Sequence, residues 1–316
     1  MTSLWRAAMG HFTHIPVLYK QVLEALCPTP GGVFVDCTAG LGGHAEGVAR
    51  LIGATGTVVL IDLDEGNLSR AAERIRGLPD APSVRTVHGN FSEAHHHLRK
   101  WGMMADMLLA DLGFASTQVD DPARGLSFMR DGPLDMRLNQ RAKRSAADLV
   151  AELSEAELEK IIREWGEERH SRRVARAIVE ARREGAIVTT HALAEVVRSV
   201  VPRGPGDHID PATRTFQGLR IAVNDELGNL EVLLEALVDG ARGFGARWLN
   251  EGARVALISF HSLEDRLVKR AMGEIVRGGL GVEVGEQPTV AGDAEAKENP
   301  RSRSAKLRAV RLCTRG

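Results

Sequence analysis

Asp36, Asp62 and Asp111, together with Gly40, Gly42, Gly43 and His44, are the residues whose types and spacing point to chemistry in this 316-residue chain. The glycines follow the β-forming run Val33-Phe34-Val35-Asp36 and precede Ala45 to Leu51, where apolar residues recur at helical spacing. Glycine at such a junction permits positive φ and close backbone approach. A strand, turn and helix of this kind leave the first helical N–H groups facing the crevice at the strand's carboxyl end, where open α/β sheets bind ligands. A small polar ligand is expected there, although a Gly-rich turn can also exist without one. Asp62 ends a second β-forming run, Thr57-Val-Val-Leu-Ile-Asp62, twenty residues after Gly42. That is about the distance at which an acid meets a ribose hydroxyl pair. NAD and S-adenosylmethionine both carry ribose, and Gly40-x-Gly42-x-x-Ala45 satisfies the dinucleotide pattern. Asp36 discriminates between them. A fixed carboxylate opposes a pyrophosphate but suits the cationic ammonium and sulfonium of S-adenosylmethionine, unless its role is to bond the N–H groups of its own turn. The residues therefore favour a methyltransferase. An NAD-dependent oxidoreductase, or a nucleotide-binding scaffold without turnover, stays open as an alternative.

Alternating strands and helices must position these residues. His14-Ile-Pro-Val17 leads into a helix through Leu26, with Pro16 in its first turn and Pro28 and Pro30 ending it. A helix from Glu65 to Arg76, a third strand from Val84 to His88, a helix around Ser92 to Lys100 and a fourth strand from Ala105 to Asp111 follow. This is the alternation of a parallel sheet with crossover helices. His95, His96 and His97 are adjacent on a helix, where successive side chains point about 100° apart. They read as a partly solvated face, and no metal site is expected. Residues 120–138 are rich in Gly, Pro, Asp and Arg, and 145–201 reads as helical, with Ser154-Glu-Ala-Glu157 as a capping box. Sheet pattern resumes at Ala253 to Phe260, after one helix whose apolar stripe is Phe216, Leu219, Val223, Leu227, Leu230, Leu234 and Leu237. The division expected is a first sheet part at 1–120, an inserted helical domain at 121–211 and a second sheet part at 212–316.

Charge is balanced, with 41 basic and 42 acidic residues, so any contact with nucleic acid must come from local patches. Arg169, Arg172, Arg173, Arg176 and Arg183 fall within an arc of about 100° on a helical wheel. Glu167, Glu168 and Glu180 are near enough to neutralise part of that ridge, leaving RNA contact and a salt-bridged face both open. In Asn299-Pro-Arg-Ser-Arg-Ser-Ala-Lys-Leu-Arg308 the basic residues are interleaved with small polar ones and read as lacking acidic partners, and polyanion contact is expected. The alternative for this segment is the lead into a last strand, Lys306 to Leu312. Three scattered cysteines, Cys27, Cys37 and Cys313, suit a reducing compartment. With neither a signal-peptide pattern nor a membrane-spanning run, a cytoplasmic protein is expected.

Taken in order, several stretches closely resemble the bacterial small-subunit ribosomal RNA cytosine-N4 methyltransferases, the MraW family. They are His14-Ile-Pro-Val-Leu18, Asp36-x-Thr38 with Gly40-x-Gly-Gly-His44, Asp111-Leu-Gly113 through Gln118, and Arg124-Gly125 with Phe128 through Met136. Gly166-Glu-Glu-Arg169, Pro211 through Gln217, Ile258-Ser-Phe-His-Ser-Leu-Glu-Asp-Arg266 and Asn299 through Ser304 complete the set. The resemblance implies an α/β fold of the class I, Rossmann-like, S-adenosylmethionine-dependent type with an inserted α-helical domain. It implies methylation of the N4 amine of one cytidine near the decoding site of 16S rRNA, within the small ribosomal subunit. It also implies cofactor contacts at Gly42, Gly43, His44, Asp62, Phe91, Asp111 and Gln118, to which the reading of the residues adds Asp36. Asp111, Ser259 and His261 are expected at the reacting base, with Phe114 or Phe128 as stacking surfaces. Arg301, Arg303 and Lys306 are expected on RNA, and a homodimer is compatible with the sequence. Phe114, Ala115, Thr117 and Gly218 depart from the family's usual residues, which bears on the shape of the pocket.

Overall fold

The computed structural model describes residues 16–113, 118–119, 121–203, 209–244 and 247–314. His14, Phe114, Ala115 and Thr117 lie outside the described residues. The chain divides into two compact units, Met1–Gly113 with Leu227–Gly316, and Phe114–Glu226.

In the first unit α1 (Tyr19–Leu26), β1 (Val33–Asp36), α2 (Gly43–Ile52), β2 (Thr57–Asp62) and α3 (Glu65–Arg76) come first. β3 (Ser83–His88), α4 (Ala94–Lys100) and β4 (Ala105–Asp111) continue the alternation. The second unit contributes α5 (Ala146–Glu152), α6 (Glu155–Glu164), α7 (Ser171–Glu184), α8 (Thr190–Val200) and α9 (Ala212–Asn224). The chain then returns through α10 (Glu226–Arg242), β5 (Leu249–Ser259) and α11 (Ser262–Arg277). It ends with β6 (Gly281–Glu283), β7 (Thr289–Val290), α12 (Asp293–Glu298) and β8 (Lys306–Leu312).

Strand order is β3-β2-β1-β4-β5-β8-β6, with β7 also paired to β8. The first five strands are parallel, and β8 runs antiparallel to β5, β6 and β7. Parallel strands are covered on both faces and so read as continuous apolar runs. Their side chains alternate between two cores: Val35, Val59, Ile61, Leu108 and Leu257 face one, while Phe34, Val58, Leu60, Leu109 and Ile258 face the other. Order reverses between β1 and β4, which makes the carboxyl ends of these two strands the switch point where such sheets bind ligands.

Two local readings need correction and one holds. Helix α1 starts at Tyr19 behind a left-handed Leu18, so Pro16 precedes the helix instead of sitting in its first turn. Helix α4 buries His95 against Trp248 and exposes His96, the partly solvated face expected. The stripe from Phe216 to Leu237 belongs to two helices, because Asp225 takes φ 48° and breaks the ladder. Aspartate tolerates that conformation better than most residues. Asn224 secures the end by donating to the Met136 and Arg220 carbonyls, and Arg220 pairs with Glu226 across the break at 2.8 Å. Phe216 and Leu219 consequently fill the core of the second unit, and Leu230, Leu234 and Leu237 fill one of the first.

The second unit packs α5 to α9 around Leu149, Leu158, Ile162, Val174, Ile178, Leu193 and Val197. A Cβ at Gly218 of α9 would lie 3.0 Å from the Gly166 nitrogen and the Ile161 carbonyl, so the glycine permits close backbone approach. Helix α6 has the expected capping box: Ser154 accepts from the Glu157 N–H and Glu157 accepts from the Ser154 N–H. Ser154→Ala is expected to cost about 1 kcal/mol, as lost N-caps typically do. Urea denaturation followed by circular dichroism checks this, and an unchanged midpoint would show that the cap is dispensable.

Candidate active site

Sheet register alone brings the acids together. Asp36 stands opposite Leu109 in β4, so Asp111 projects two residues beyond it at the same end of the sheet. Asp111 in turn stands opposite Ile258 of β5, which places Ser259, Phe260 and His261 just past it. Asp62 closes β2, the neighbour of β1 on the other side.

The Gly-rich turn is fastened to these acids. Asp62 Oδ2 accepts the Gly40 N–H at 2.7 Å and Oδ1 accepts the Asp64 N–H at 2.8 Å. Gly42 has φ 76°, and a Cβ there would lie 3.0 Å from Ala71 of α3. At Gly43 a Cβ would lie 2.5 Å from Pro16. Both glycines thus answer to protein packing. What they leave for a ligand is backbone, the first N–H groups of α2. Phe91, in a 3-10 turn after β3, is half-buried against one sheet core.

At the switch point Asp36 accepts the Thr38 N–H at 3.1 Å, and Thr38 Oγ1 accepts the Asp111 N–H at 2.7 Å. Asp36 does bond its own turn. Burial raises its carboxyl to about 7, the Thr38 bond opposing and nearby Asp62 adding to the shift. Asp111 is raised to about 8 by burial, with Asp36 and Glu264 adding repulsion. His44 Nε2 lies 3.8 Å from Asp111 Oδ2, yet burial lowers the imidazole to about 4, so at neutral pH this is a contact between a neutral ring and an acid, not an ion pair. Asp111 Oδ1 is buried and has no hydrogen-bond partner among the described residues. Crowded acids without a cationic partner, one oxygen of them unsatisfied, suit a ligand that brings positive charge and a hydrogen-bond donor.

Past β5, His261 is the N-cap of α11: its Nδ1 accepts the Glu264 N–H at 3.4 Å, while Glu264 Oε2 accepts from Phe260 at 2.8 Å and His261 at 3.3 Å. His261 Nε2 lies 3.2 Å from Glu264 Oε1. The Ser259 hydroxyl, at 3.4 Å, donates to the Lys306 carbonyl. Thr38 and Glu264 are the residues whose positioning work went unread; the spacing His261-x-x-Glu264 was the signal for the second, since it is a capping box with histidine in place of serine.

The basic tail also departs from expectation. Arg301 and Arg303 lie in a 3-10 turn, Pro300–Ser304, with Arg303 Nε donating to the Ala296 carbonyl at 3.2 Å. Lys306 and Arg308 do have an acidic partner: Asp265 of α11 meets them at 3.2 and 2.8 Å. The reason is topological, because α11 packs on β8 and brings an acid from some forty residues earlier in the chain. Gln118 belongs to the second unit and is buried. Phe128, in the same unit, makes a T-shaped contact with Phe216 at 4.8 Å and carries the Arg198 guanidinium over its ring at 5.5 Å, partners that compete with a stacked base.

A parallel five-stranded run with β8 antiparallel between β5 and β6, and acids at the ends of β1, β2 and β4, defines a class I, Rossmann-like methyltransferase, dependent on S-adenosylmethionine. The chain belongs to the MraW methylase family, whose profile matches residues 11–313. It is 48% identical over 304 residues to the ribosomal RNA small subunit methyltransferase H of Sorangium cellulosum, covering 94% of this chain and 90% of that one. To the methyltransferase H of Geobacter sulfurreducens it is 46% identical over 317 residues, covering 95% and 98%.

Proposed function

We propose that this enzyme methylates the N4 amine of one cytidine in 16S rRNA, near the decoding site and within the small ribosomal subunit, in the cytoplasm. The relatives' names support ribosomal RNA as the substrate. No described helix is long and apolar enough to cross a membrane. The observation that carries the N4 reading is Asp111: a buried strand-end carboxyl with an unsatisfied oxygen, raised to about 8.

S-adenosylmethionine, when bound, supplies an electrophilic methyl group on a sulfonium. The first N–H groups of α2, at Gly43 and His44, would hold its polar end, with Asp36 facing its positive charge. Asp62 would take the ribose hydroxyls through the lone pairs that the Gly40 and Asp64 bonds leave over, and Phe91 would wall the adenine. Gln118 is kept as a further cofactor contact on the family pattern.

Cytosine N4 is a weak nucleophile because its lone pair is delocalised into the ring. Asp111 Oδ1 would accept one N4 hydrogen, which orients the amine and concentrates electron density on the nitrogen that is to take the methyl group. The departing N4 proton then goes to Asp111, whose raised affinity for protons matches a general base working near neutral pH. A carboxyl of ordinary acidity would be the poorer acceptor. Glu264 fixes the Phe260–His261 turn just past β5, from which His261 would approach the base. The target nucleotide must leave its stack to reach the site.

The test is transfer of labelled methyl to naked 16S rRNA, isolated small subunits and whole ribosomes, followed by nucleoside digestion and mass spectrometry. N4-methylcytidine from small subunits is the expected product. A methyl on ring carbon C5 or on a ribose oxygen would refute the assignment.

A further inference from the structure

The arginines of the second unit fall into two groups. Most are engaged, as Arg144 is by Glu152, Arg198 by Asp210 and Arg182 by the Val150 and Leu153 carbonyls. On α7 the pattern changes. Arg176 pairs with Glu180 at 2.9 Å, but Arg172, Arg173 and Arg183, with Arg169 just before the helix, are exposed and meet no acid or carbonyl among the described residues. The opposite face of α7 is anchored in the core by Val174, Ala175 and Ile178. The row of guanidinium groups therefore rides on a fixed support, over roughly 16 Å from Arg172 to Arg183 at the helical rise.

Helix stability does not account for Arg172 and Arg173, which sit in the first turn of α7, where the helix dipole disfavours cations. Arg172 and Arg176 are also like charges four residues apart, a spacing that destabilises helices. Guanidinium forks match phosphate oxygens in pairs. α7 contains no aromatic residue on which a base could stack, so contact with a polyanion here would be to its backbone, independent of sequence.

We propose that the Arg172, Arg173 and Arg183 face of α7, with Arg169 just before the helix, is a docking surface for RNA backbone phosphates; this rests on the reading of ribosomal RNA as substrate. The test uses the full chain with Arg172, Arg173 and Arg183 changed together to Gln, and in a second variant together to Lys. Binding to a 16S rRNA fragment is titrated across potassium chloride concentrations. The slope of log affinity against log salt should fall by about two in the Gln variant, for three lost contacts worth roughly 0.7 to 0.9 each. The Lys variant should keep the wild-type slope, and both should bind S-adenosylmethionine normally, showing an intact fold. A wild-type slope in the Gln variant would overturn the proposal, as would equal losses in both variants. An unchanged RNA slope combined with lost binding to assembled subunits would overturn it in favour of an acidic ribosomal protein. The slope is read without turnover, so a wrong site of methylation would not alter it, and its failure would leave the N4 assignment standing.

Discussion

Asp111→Ala should cut the single-turnover rate of methyl transfer by about a hundredfold or more, roughly 3 kcal/mol, the usual effect of removing one preorganised transition-state partner. The measurement needs saturating S-adenosylmethionine, because Asp111 sits where the cofactor's positive charge is expected and affinity losses must not be mistaken for rate losses. Asp111→Asn separates two contributions. It retains an oxygen that can accept the N4 hydrogen but has no carboxylate to take the proton. Wild-type rate should fall as pH drops through the pKa of Asp111 in the complex, since the protonated carboxyl cannot act as base. The Asn variant should be slow and show no such step. A near-normal rate in Asp111→Ala would remove this residue from the chemistry.

Asp62→Ala should weaken S-adenosylmethionine binding tenfold to a hundredfold, from charge-assisted hydrogen bonds worth about 1.5 to 3 kcal/mol. The carboxylate also holds the Gly40 and Asp64 N–H groups, so the alanine variant loosens the turn as well as the ligand contact. Asp62→Asn keeps one oxygen acceptor and shows how much of the loss belongs to charge. Calorimetric titration is the readout, with a thermal melt as control. Unchanged affinity in the alanine variant would withdraw Asp62 from the cofactor site.

Much of the sheet could be read from the chain because its strands are buried on both faces, and a run such as Val58-Val59-Leu60-Ile61 has few other uses. The acids were legible for a related reason: a charged residue closing an apolar run marks the point where the strand leaves the core. What escaped depended on information that periodicity does not hold. The stripe from Phe216 to Leu237 keeps its three-and-four spacing straight through Asp225, so only the backbone conformation there reveals two helices. The partnership of Asp265 with Lys306 and Arg308 joins residues some forty positions apart, and no local charge count could show it. Thr38 bonds a backbone N–H of another strand, a contact set by strand pairing and invisible to a motif.

The place of β8 has a consequence for how the sheet comes into being during synthesis. Among the described residues β6 and β7 find their strand partner only in β8, which is made after both, and β5 is paired along one edge alone until β8 arrives. Every growing chain therefore passes through a stage in which Val255, Leu257 and their neighbours present an open, apolar edge to whatever lies nearby. Such an edge is a template for pairing with a second chain. Closing it takes Leu307, Ala309 and Val310, so these few residues protect the nascent enzyme from its own copies as well as completing its core.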